Sequence, residues 1–300
     1  MPSSDIPTRL PGTSPTAVDA APTDKNASFV GRQFPRRWRD LDYPGAALKA
    51  LRIALFYLAV LGVWQLVYEL EVWPPYVIPS PSQVWDSFFR YWDNGLIADA
   101  LKITLQRLII GYVLSLIVGM TIGMAVGSWK YVDETVGSLV LGLQSLPSIT
   151  WIPLAILWFG LNERAIIFIV FMGSVFSVAI SARAGVKGLP PLYRKAAMTM
   201  GANRYQMTRY VLLPAMVPAM SQGLKLGWSF AWRSLMAAEI VFVGGDLGVG
   251  HLLNLGRDLN DMSLVIAIML VIITIGLVFD VFIFGRLEAW VRERWGYSAA

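Results

Sequence analysis

The chain contains no cysteine, which excludes a disulfide framework and any thiolate metal site. It has a single histidine, His251, so most zinc sites are excluded, and without cysteine so is every Cys-His catalytic pair. Charge is scarce: 15% of residues are charged, against about 25% in a soluble domain. No G-x-x-x-x-G-K-[ST] loop occurs, so the chain cannot hydrolyse a nucleotide by the P-loop route. Residues 1–45 hold no apolar run and are rich in Pro, Ser, Thr and Ala. They lack the apolar region of a secretory signal, and we expect a disordered arm on the cytoplasmic side. What is abundant is hydrophobicity, at 56% of residues with mean hydropathy +0.55, which describes an all-α integral membrane protein. The net charge of +5 lies beside apolar runs, as topology determinants do, so nucleic acid is not an expected partner.

A transmembrane domain follows over 46–300, in which apolar runs predict six spans, about 47–69, 108–129, 135–160, 165–182, 215–243 and 262–285. Lys49 and Arg52 sit at the inner end of the first span, and Glu69, Glu71, Trp73 and Tyr76 follow, so it runs from inside to outside. Residues 70–103 are then external. There Ser80, Pro81 and Gln83 form a capping-box start for a helix whose Trp85, Phe88, Phe89 and Trp92 make an aromatic interfacial face. The second span carries Gly111, Ser115, Gly119, Gly123 and Gly127 every four residues, a groove for close helix approach. Pro147 and Pro153 should bend or break the third.

The fifth span is the polar one, with Lys225, Arg233 and Glu239 inside apolar sequence and Trp228 and Trp232 among them. A charge at membrane depth costs several kcal/mol unless it faces protein or water, so these five residues are candidates for a translocation path or gate. Equally, Arg233 or Glu239 satisfies helix-end carbonyls or a neighbouring helix. Lys225 and Glu239 stand about 40° and about 21 Å apart on an ideal helix, too far to bond directly. Residues 244–261, including Gly244, Gly245, Gly248 and Gly250, should form an outer loop in which His251 is solvated. Arg286, Arg292 and Arg294 then place the C-terminus in the cytoplasm with the N-terminus.

Between the fourth and fifth spans, residues 183–210 carry six Lys or Arg and no acid, which marks a cytoplasmic loop. Leu192 to Met200 should be helical, ended by Gly201 and followed by a second short helix. Within it, Lys195-Ala196-Ala197-x3-Gly201-x9-Val211-x-Leu213-Pro214 resembles the E-A-A-x3-G-x9-I-x-L-P coupling loop of bacterial ABC importer permeases. Lys195 stands in place of the acid and Val211 in place of the Ile. Leu146 to Leu154 resembles that family's third-helix signature, Trp232 to Gly250 its fifth helix and the loop that follows, and Ile78-Pro79-Ser80-Pro81-Ser82-Gln83-Val84-Trp85 is similar to a stretch of its sulfonate, taurine and nitrate branch. The resemblance implies a homodimeric permease of the bacterial inner membrane. It also implies two ATPase subunits docking on Lys195, Ala196, Ala197, Gly201, Val211, Leu213 and Pro214, and an extracytoplasmic binding protein that delivers substrate. ATP and magnesium would be bound by the ATPase, with no cofactor or metal in this chain. The implied cargo is a small oxyanion such as an aliphatic sulfonate, taurine or nitrate. Bicarbonate, a pyrimidine precursor or an aromatic acid is the alternative cargo. An ion-coupled secondary transporter would show an internal repeat, and none is seen. A membrane enzyme would need clustered titratable groups.

Overall fold

The computed structural model describes residues 43–74, 76–242 and 247–295, with side chains from residue 48. Most of the expected arm, and the Gly244-Gly245 pair, lie outside the described residues. Among those described every regular element is helical. By internal packing the chain divides into Met1–Ala59 and Val60–Ala300. The first unit is described only as the start of α1 (Tyr43–Glu69), which is solvent-accessible along its described length. All other elements belong to the second.

Helix α2 (Pro81–Asp93) starts where the capping box predicts. Ser80 Oγ accepts from the Gln83 amide at 3.3 Å, and Gln83 Oε1 accepts from the Ser80 amide at 2.9 Å. After Gly95, left-handed at φ +79°, α3 runs from Leu96 to Ser128, starting well before the apolar run at 108. Hydropathy misses these first turns because Thr104 and Arg107 interrupt the pattern. Their buried neighbours Ile97 and Ala100 nevertheless pack with Val249, Leu252, Leu264 and Ile268.

Next, α4 (Lys130–Gln144) and α5 (Ser148–Phe159) form one apolar stretch bent by 102° at residues 145–147. Pro147 lacks an amide hydrogen and restrains Leu146 from the helical region, which accounts for the break. The chain continues as α6 (Glu163–Lys187), capped by Asn162, then the short α7 (Pro191–Thr199). A turn of helix at Arg204–Gln206 and a wider π-type turn lead into α8 (Leu213–Val241). The last elements are α9 (Val249–Asp258) and α10 (Met262–Trp295), the latter with a π-type turn over Phe279–Phe284.

By length and composition four helices qualify as membrane spans, those at Leu48–Glu69, Leu96–Ser128, Glu163–Lys187 and Met262–Trp295, and the bent α4–α5 pair makes up to five. Helix α8 is long enough at 29 residues, but its polar side chains keep it out of that group.

The core is built where α3, α6 and α8 meet. Leu108, Tyr112, Ile166, Ile169, Trp228, Trp232, Leu235 and Phe284 form one buried cluster. Helices α3 and α6 touch along the small-residue groove. A Cβ on Gly119 would stand 2.7 Å from the Val175 carbonyl oxygen, and one on Gly123 would run into the carbonyl of Ala179. Because that obstacle is backbone, it cannot rotate aside. Gly123→Val should therefore separate the helices and cost at least the ~1–3 kcal/mol typical of overpacking, read as a lower melting temperature in detergent. Gly142→Ala, whose Cβ meets no heavy atom within 4 Å, should leave the melt unchanged or raise it slightly.

Candidate functional site

The motif residues 195–214 gather at one end of the second unit. Helix α7 starts at Pro191 and ends in a Schellman arrangement: the Ala202 amide donates to the Ala197 carbonyl and the Gly201 amide to that of Met198, each at 3.0 Å. Gly201 itself sits at φ +78°, a conformation open to glycine at little cost. Ala197, 3% exposed, is the buried residue of α7, while Lys195 and Ala196 point outward. Around them Leu192, Tyr193, Met198, Met200, Tyr205 and Tyr210 are exposed, forming an apolar and aromatic patch dotted with Arg194 and Arg204. Val211 and Leu213 are half-buried at the root of α8, and the Pro214 carbonyl accepts from Trp295 Nε1 at 3.1 Å, which ties this end to the end of α10.

A second cluster lies close by. Asp133 accepts from Arg183 Nε and Lys187 Nζ, each at 2.5 Å, and so joins the start of α4 to the end of α6. The sequence reading passed over this trio because Asp133 lies 50 and 54 positions from its two partners.

The five polar-span candidates part company. Trp228 and Trp232 are buried in the core, Trp228 stacked on Phe279 at 4.2 Å and edge-on to Tyr112 at 5.4 Å. Lys225 is half-buried and pairs across to α10, with Asp280 at 3.0 Å and Glu288 at 3.8 Å. Arg233 faces outward, its guanidinium 5.7 Å from the Phe230 ring. It shares an exposed stripe of α8 with Gln222, Leu226, Phe230 and Ile240.

Glu239 is wholly buried and is the hub of a network sequence reasoning missed. It accepts from Arg107 Nη1 at 3.0 Å, from Thr104 Oγ1 at 3.0 Å and from the Gly250 amide at 2.9 Å. Thr104 Oγ1 in turn accepts from the Val249 amide at 2.8 Å, and Arg107, 1% exposed, also reaches Glu163 at 3.2 Å. The carboxylate thus satisfies the Gly250 amide, Thr104 the Val249 amide before it, and the group pins α3, α8 and α9 together. The available signal was Thr104 and Arg107, polar residues three apart at the edge of an apolar run.

His251 is not the solvated loop histidine expected from the glycine-rich context. It is 4% exposed on the first turn of α9. Its Nδ1 accepts from the Gly248 amide at 3.1 Å, and Nε2 meets the Phe242 carbonyl, so the ring is the neutral tautomer with hydrogen on Nε2. Burial, aided by Arg107, holds its pKa below the usual imidazole value, against the opposing pull of Glu239 and the Phe242 carbonyl. The unfolded chain takes up this proton first, near pH 6.5, so the stability it contributes is present above about pH 6.5 and lost as pH falls below it. From pH 7.5 to 5 the melting temperature should drop more steeply for the parent than for His251→Gln, the excess being at most about 1.4 kcal/mol per pH unit.

The family model for binding-protein-dependent transport system inner membrane components matches residues 100–292. An ABC transporter permease protein of Methanocaldococcus jannaschii is 33% identical over 234 residues, covering 77% of this chain and 86% of the relative. A taurine transport system permease of Escherichia coli is 28% identical, over 74% of this chain and 81% of its own. The nitrate import permease of Synechocystis is 27% identical, over 77% and 84%. Among solved structures, an inward-facing MetNI methionine ABC transporter chain superposes with a TM-score of 0.57 at 18% identity, covering 64% of this chain and 94% of its own, a likeness of fold. With the family match spanning well over half of its length, this chain belongs to the binding-protein-dependent transport system inner membrane components, the multi-pass permease subunits of ABC importers.

Proposed function

We propose that two copies of this chain form the passage of an importer for a small oxyanion, with six spans per copy and both termini in the cytoplasm. Helix α8 supplies the polar span. Two ATPase subunits dock on the α7 end, and an extracytoplasmic binding protein delivers cargo to the α9 end. ATP and magnesium belong to the ATPase, since this chain carries no phosphate-binding loop. The observation that carries the coupling assignment is the α7 end: a helix outside the candidate spans, closed by Gly201 and surrounded by exposed Leu192, Tyr193, Met198, Met200 and Tyr205. A patch of that kind, rimmed by arginines, has the composition of a protein interface.

Closing of the ATPase dimer would push on α7. Its root continues into α8, and Trp295 and the Asp133 trio join the same end to α10, α4 and α6. The helices are packed backbone to backbone through glycines, so they move as a rigid body between two arrangements. For the cargo, an oxyanion is favoured by Arg233, a guanidinium exposed on a helix of the membrane domain. Relatives named for nitrate, taurine and aliphatic sulfonates support the same class.

The test is ATPase activity of the complex copurified into nanodiscs, with binding proteins loaded with sulfonate, taurine, nitrate or bicarbonate. Stimulation by one loaded binding protein establishes importer and cargo together. If no ATPase copurifies and liposomes with this chain alone move solute, the coupling assignment fails.

A further inference from the structure

Two exposed features of the membrane domain are ill suited to lipid. The first is the break between α4 and α5. Lys130–Gln144 rises only about 22 Å at 1.5 Å per residue, short of the ~30 Å hydrocarbon layer, so the non-helical backbone at 145–147 falls inside the membrane. Irregular backbone at that depth is tolerated only against protein or water, yet Ser145, Leu146 and Pro147 are exposed. The second is Arg233. Among the described residues its guanidinium has the Phe230 ring beside it but no ion pair, and such a charge at depth likewise demands protein or water.

Both features lie at one level. The Lys225–Asp280 pair sets α8 against α10. Arg233 stands eight residues, about 12 Å, further along α8, and Asp280 is about 27 Å from Met262 at the start of α10. Arg233 is therefore about 15 Å from that end, near the middle of a ~30 Å layer. Ser148 reaches the same level: its Cβ would lie 3.4 Å from a Cβ on Gly173, the glycine against which Ser234 Oγ packs. Ser234 adjoins Arg233 in sequence, and Thr150 follows on the exposed side of the same short turn.

We propose that Arg233, with the hydroxyls of Ser148 and Thr150, forms a halfway station for a small oxyanion on the face where two copies enclose an aqueous passage. This rests on the importer reading above and adds the place and the ligand groups. A guanidinium supplies the charge, and two hydroxyls at a kink donate hydrogen bonds without a second fixed charge that would hold the anion too tightly to leave.

The absence of native cysteine makes the test direct. Ser148→Cys and Thr150→Cys, in the complex copurified with its ATPase, are treated with a sulfonate-bearing thiol reagent and with a trimethylammonium-bearing one of similar size. The ratio of the two rates cancels any effect of Arg233 on the thiol itself. Both cysteines should react, with a preference of about tenfold for the anionic reagent that Arg233→Gln removes and Arg233→Lys retains. Ile273→Cys, exposed in the middle of the apolar α10, should stay unmodified if that face meets lipid. Reaction at both cysteines with no charge preference, or one indifferent to Arg233→Gln, overturns the station while leaving the passage standing. No reaction at either cysteine overturns the station and places the passage elsewhere.

Discussion

Glu239→Ala is expected to be the most damaging single substitution in the membrane domain, destabilising it by about 3–5 kcal/mol, the range for breaking a buried ion pair. The change strips the buried counter-charge from Arg107, which is 1% exposed, and removes the acceptor of the Thr104 hydroxyl and the Gly250 amide. The free-energy loss comes less from the lost attraction than from desolvated donors left facing an apolar cavity. Glu239→Gln keeps the shape and one acceptor oxygen and should cost less than the alanine. In a double-mutant cycle, Arg107→Leu with Glu239→Leu should be much less harmful than the two single changes added together, because the buried Arg107–Glu239 pair is then replaced by two apolar side chains and neither is left without the other. Melting temperatures of the four proteins in one detergent decide it. A cycle that sums to additivity would mean the pair is not energetically coupled.

The second large effect is expected at the α7 end and should appear in transport with little loss of stability. Ala197→Trp places a large ring where the parent side chain is 3% exposed, and so tilts or lifts α7 from its seat. Gly201→Val acts by a different route. Nothing lies within 4 Å of a Cβ there, so space is not the obstacle, but φ +78° costs a β-branched residue on the order of 1–2 kcal/mol and loosens the Schellman closure. Both variants should insert normally, keep basal ATPase activity in the copurified complex and lose at least tenfold in uptake. Lys195→Glu changes only an exposed charge and should keep most uptake. Full uptake in Ala197→Trp would remove the coupling role from this helix.

Much of the architecture was legible along the chain because it depends on near neighbours. The capping box at Ser80 and Gln83, the helix stop at Gly201 and the break at Pro147 are set by local hydrogen bonding and by which backbone angles each residue type allows. The glycine row on α3 signalled close helix contact for the same reason, since a missing Cβ is visible in one segment alone. The start of α3 was not legible. Its first turns are buried by α9 and α10 rather than by lipid, and hydropathy measures transfer to lipid.

The candidate residues of the polar span show where local reading stops. Their charge was plain, but their partners lie on other helices: Asp280 for Lys225, Arg107 and Thr104 for Glu239. Trp228 and Trp232 turned into the core, and His251 was buried beneath the Phe242 carbonyl. By itself the sequence determined a helical membrane protein with a basic helical segment between two apolar runs, because burial in a bilayer and the closing of helix ends are written in composition and short spacings. Only the tertiary structure decided which charges are spent on holding helices together and which one, Arg233, is left facing outward, because an ion pair is a property of two distant residues and the packing between them.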